Sequence, residues 1–129
     1  RYEATAAGVP TKLAINDTQG YGHEGPKADR LARTVEAARD SDVVLLVLHA
    51  NNPGRAADLS MMKQMEAWFA ARPELKPPPV IAVMTHIDLL KPSLEWAPPY
   101  DWRAGQRPKE RNIREALEAI AQQLGTHVQ

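Results

Sequence analysis

Two unbroken apolar runs constrain this chain more than anything else in it. Val43-Val44-Leu45-Leu46-Val47-Leu48 and Val80-Ile81-Ala82-Val83-Met84 are dominated by β-branched residues and leucine, with no polar alternation. Such runs are what strands buried on both faces look like. Between them, residues 56–71 have helical spacing, with Met62, Met65 and Phe69 on one stripe. Strands alternate with helices from residue 11 onward. The pattern predicts an α/β fold: a three-layer, mostly parallel sheet with helices on both faces.

The remaining elements follow from local signals. Residues 1–5 and 11–16 read as short strands separated by Gly8-Val9-Pro10, and they are placed to form a hairpin. Residues 27–39 read as a helix with Leu31, Val35 and Ala38 on one face. The last helix starts near Pro108, carries Ile113, Leu117, Ile120 and Leu124, and ends at Gly125. Residues 91–107 hold Trp96, Pro98, Pro99, Tyr100 and Trp102. Aromatic side chains are costly to leave in water, so this stretch reads as an ordered loop rather than a flexible linker.

Bulk properties exclude more than they assign. The 129 residues suffice for one core, and 16 basic residues balance 16 acidic ones to a net charge of +0. That balance gives no electrostatic reason to expect nucleic acid or an anionic membrane as the main partner. No cysteine is present, so there is no thiolate metal site, and a reducing cytoplasm fits. The longest apolar run is far too short to span a bilayer. The chain opens at Arg1 on strand-like residues, without a methionine or a signal peptide, and so reads as cut from something longer.

In parallel sheets, ligands bind at the carboxyl ends of the strands. Three loops occupy that position: 17–25, 49–55 and 85–91. The first opens with Asp17-Thr18-Gln19-Gly20 directly after a strand. A strand-end carboxylate can hold magnesium, usually through water, beside a nucleotide's phosphates. A glycine three residues later lets a bare backbone N–H approach a terminal phosphate. The third loop opens with Thr85-His86-Ile87-Asp88. Its aspartate can accept two hydrogen bonds from the N1–H and exocyclic amine of guanine, a donor pair that adenine lacks. Each motif alone also has a bland reading, as an ordinary turn or a capping aspartate.

Together, in this order and with helix, strand and helix between them, the two motifs resemble the DxxG and [NT]KxD motifs of the Era-like branch of the translation-factor-related, Ras-like small GTPases. The resemblance implies a P-loop NTPase fold and a GTP-binding switch that hydrolyses GTP to GDP with Mg2+. Asp17 would support the ion through water, Gly20 would sense the γ-phosphate, and Thr85, His86 and Asp88 would hold guanine. By the same comparison residues 1–129 are a partial G domain, running from its second strand to its fourth helix. The GxxxxGK[ST] P-loop does not occur in this chain, and the last strand and helix of the family domain are likewise missing. The family's first strand lies between its third and fourth, so the strands at 11–16 and 43–48 would lack their shared neighbour. The isolated chain is therefore expected to be inactive.

Two positions depart from the family pattern. Tyr21 stands where Ras-type proteins place the glutamine that orients the attacking water, leaving the catalytic residue unassigned. His86 replaces the usual lysine; it can stack on a purine but is shorter and mostly neutral at pH 7. The resemblance implies a cytoplasmic protein with guanine nucleotide as ligand and a protein activator as partner, any membrane association belonging to flanking segments. The alternative is a non-catalytic, GTPase-derived interaction module that uses the Trp/Pro-rich loop at 92–108. An ATP-using P-loop protein is the third reading, and Asp88 argues against it.

Overall fold

The computed structural model of the chain describes residues 2–5, 12–18, 27–53 and 55–128. β1 (Tyr2–Thr5) and β2 (Lys12–Ile15) pair antiparallel, with Tyr2 opposite Ile15 and Thr5 opposite Lys12. There follow α1 (Lys27–Arg39), β3 (Val44–His49), α2 (Ala56–Ala70), β4 (Val80–Thr85), a single 3-10 turn (Ile87–Leu89) and α3 (Pro108–Leu124). β3 and β4 pair in parallel, from Val44 opposite Val80 to His49 opposite Thr85. Parallel neighbours need a crossover, and α2 supplies it.

The core lies on one side of this pair. Leu46, Leu48 and Val80 from the strands pack with Val35 and Ala38 of α1, Met62, Met65 and Phe69 of α2, and Ile120 and Leu124 of α3. Successive strand residues point to opposite faces. The other face of β3 is accordingly exposed, Leu45 at 56% and Val47 at 58%, and Ile81 of β4 joins it at 38%.

The fold is thus α/β, but one expectation is corrected among the described residues. The sheet has helices against one face, not both. β2 and β3 belong to separate two-stranded sheets and share no neighbour among the described residues. The physical reason is that an apolar run records what a strand's two faces will tolerate; it does not record whether both covers are at hand.

The helix ends are set by side chains. Pro108 stands at the first position of α3, and Glu110 two residues later accepts the Arg107 backbone N–H (3.0 Å). In α2 the buried Asp58 accepts the Arg55 backbone N–H (2.9 Å) and pairs with the Arg55 guanidinium (3.0 Å). Each carboxylate occupies an otherwise orphaned N-terminal donor.

Candidate functional site at the carboxyl ends of β3 and β4

Because β3 and β4 are parallel, both carboxyl ends open on the same edge. The ladder continues past the strands, where Ala50 N–H donates to Thr85 O (3.0 Å). Thr85 Oγ1 donates across to Leu48 O (3.1 Å) and lies 3.0 Å from His86 Nδ1. A hydroxyl has one hydrogen, so His86 Nδ1 is the donor in the second contact, and the neutral ring keeps a lone pair at Nε2.

His86 has φ 59° and ψ 34°, the left-handed region, which a residue with a Cβ adopts at a cost of roughly 1–2 kcal/mol. Its ring stacks on His49, with centroids 4.3 Å apart and planes 13° from parallel. His49 Nδ1 in turn accepts the Asn51 N–H (3.2 Å), which puts the neutral ring's hydrogen on Nε2. Stack and hydrogen bond together hold His86 in its unfavourable backbone conformation.

That conformation turns the chain off the strand and into the 3-10 turn. Leu89 N–H donates to His86 O (3.1 Å) and Leu90 N–H to Ile87 O (3.2 Å). Leu90 is buried beneath the turn with Ala50 and Ile113. Asp88 sits in the middle of the turn, exposed, and its carboxylate has no hydrogen-bond or ion-pair partner among the described residues. Its main-chain carbonyl is held, however, by Lys109 Nζ at 3.0 Å. The carboxylate thus offers unused acceptor positions on a fixed backbone.

The loop at 91–107 is fastened to the start of α3. Arg107 donates to Ala97 O (2.9 Å) and Pro99 O (3.0 Å), Asn112 to Lys91 O (2.6 Å), and Arg114 to Gly105 O (2.7 Å). Glu110 accepts the Asp101 N–H (3.0 Å) and the Arg107 Nε–H (2.9 Å). The Arg107 guanidinium, foremost, holds the Glu110 carboxyl down at about 2. Gly105 fits because a Cβ there would stand 2.4 Å from Asp101 O and 2.1 Å from Glu110 Oε2. Tyr100 is half-buried against the Leu90–Ile113 cluster and donates to Glu95 O (2.9 Å). Trp96 and Trp102 keep 58% and 45% of their surface exposed.

Of the residues expected to form a site, Thr85, His86 and Asp88 come together here. Thr85 belongs to β4 rather than to the loop after it. Asp17 lies exposed just beyond β2, in the other sheet, and no hydrogen bond or ion pair among the described residues joins it to the other three. Gly20 lies outside the described residues, as do Gln19 and Tyr21. Among the described residues no group of three or more histidine, cysteine, aspartate or glutamate side chains is arranged to hold a metal ion.

Two contributors were missed by sequence reasoning. His49 is one, since a lone histidine at a strand end carries no signal of a stacking partner 37 positions on. Lys109 did carry one, since it falls four residues before Ile113 on the apolar face of α3. No family model, curated protein or solved structure matches this chain.

Proposed function

We propose that the chain is the central part of a Ras-like, Era-like G domain that binds GTP and, in the intact protein, hydrolyses it to GDP as a switch. The observation that supports this best is Asp88. A carboxylate with no partner among the described residues, exposed on a turn whose backbone is fixed, at the carboxyl edge of a parallel pair, suits the two N–H donors of guanine. Thr85 shapes that turn through its bond to Leu48 O, and His86 offers an imidazole face or edge beside the base. In this reading the P-loop lies ahead of Arg1, and the second helical layer covers the Leu45, Val47 and Ile81 face.

Asp17 fits a magnesium ion held through water, because it is exposed and has no hydrogen-bond or ion-pair partner among the described residues. With nucleotide bound, such an ion neutralises phosphate charge. Gly20 would bring a backbone N–H to the γ-phosphate. Tyr21 cannot orient water as a glutamine amide does, so intrinsic hydrolysis is slow and an activator supplies the missing group.

The test is Asp88→Asn in the intact protein. Its amide matches the edge of xanthine, so preference moves from GTP toward XTP by about two orders of magnitude, read by competitive nucleotide binding. An unchanged preference sinks the assignment. Exposed Leu94, Trp96 and Trp102 on the loop at 91–107 favour a second reading, a GTPase-derived interaction module without catalysis. Absence of GTP binding by the intact protein would select it.

A further inference from the structure

We propose that Lys109 is a positioning residue for Asp88: from the first turn of α3 its buried ammonium grips the Asp88 main-chain carbonyl and so sets the direction in which the Asp88 carboxylate meets a base. The proposal rests on the reading of Asp88 as the residue that selects guanine.

Lys109 breaks three local rules at once. It has no exposed surface at all, although lysine is among the residues least often buried without a partner. It sits at the second position of a 17-residue helix, next to Pro108, where the helix's own N–H dipoles repel a cation. No carboxylate pairs with it among the described residues; its hydrogen bond goes to a neutral carbonyl, Asp88 O, at 3.0 Å. The face of Trp96, 5.8 Å from Nζ, is the other group that favours the charge. An apolar side chain would fill this place on the core-facing stripe with no desolvation penalty. The amine is explained by what it holds. Asp88 lies in a one-turn 3-10 segment, which has few backbone bonds of its own, and the Lys109 bond ties that segment to a long helix. Leu90, on the core side of the turn, prevents sliding, while Lys109 prevents rotation of the Asp88 peptide. The carboxylate is left free and aimed.

The experiment compares GTP with ITP on the intact protein. Inosine lacks the exocyclic amine and so meets one of the two carboxylate positions rather than both. The GTP-over-ITP preference therefore reports the aim of Asp88 and not the general strength of the site. Lys109→Met keeps the apolar stem and removes the ammonium. The expected result is an about fivefold loss of the GTP-over-ITP preference, the worth of one hydrogen bond, while Lys109→Arg keeps most of it. Equal weakening of both nucleotides, or no change, overturns the proposal, because a merely structural lysine would act on both alike. If Lys109→Met does not fold, Lys109→Gln replaces it: its amide falls short of the Asp88 carbonyl, and the same loss is expected. Asp88→Asn runs in parallel. If it moves preference toward xanthine while Lys109→Met leaves the ratio unaltered, the Lys109 proposal alone fails. If Asp88→Asn leaves preference unaltered, the reading of Asp88 fails and this proposal with it.

Discussion

Asp58 is fully buried, yet it is a carboxylate, and its place is set by the backbone N–H and guanidinium of Arg55. Replacing it by alanine leaves that N–H and the helix start without their acceptor. Asp58→Ala is expected to lower stability by about 2 kcal/mol, measured by urea unfolding, whereas Asp58→Asn, which keeps an acceptor, loses less. The Arg55–Asp58 spacing at a helix start is a short-range pattern and is legible in the sequence. The conformation of His86 was not. Nothing in Thr85-His86-Ile87-Asp88 announces a left-handed residue, because the stacking ring of His49 that steadies it comes from another strand. Short-range patterns report side chains three and four apart; they are silent on a partner 37 positions away.

The loop at 91–107 owes its order both to α3 and to bonds of its own, from Tyr100 to Glu95 O and from Arg107 to Ala97 O and Pro99 O. Its aromatic content made an ordered loop the natural reading, but Glu110, Asn112 and Arg114 read in the sequence only as the polar face of a helix. Glu110 gives this fastening a pH dependence. Its carboxyl sits at about 2 in the folded chain, against an ordinary value of 4.5, chiefly because of Arg107. A depressed folded value stabilises above the ordinary value and is lost as pH falls through the folded one. The Glu110 contribution should therefore be intact above about pH 4.5 and vanish between there and pH 2. The measurement is the difference in melting temperature between the parent and Glu110→Gln, which shrinks across that window. A difference that stays constant would mean that the carboxylate's charge is irrelevant to the loop.

For the molecule as a whole, element order, the parallel pair and all three helices were readable from hydrophobic periodicity. The split into two sheets was not, because strand pairing depends on which neighbours are present. The exposed Leu45, Val47 and Ile81 make a direct prediction. The 129-residue chain should bind a hydrophobic dye such as ANS at neutral pH, and Leu45→Thr with Val47→Thr should cut that signal severalfold without lowering helix content by circular dichroism. The same chain should bind labelled GTP weakly or not at all, since phosphate contacts normally come from a P-loop. The Lys109 bond has one further consequence, for synthesis on the ribosome. Asp88 emerges 21 residues before the side chain that holds it, and the loop between them emerges before Glu110, Asn112 and Arg114. This edge of the protein therefore cannot be seated until α3 has been made. It waits for that helix, and a nascent chain stalled short of residue 109 carries the aspartate without the lysine that holds its carbonyl.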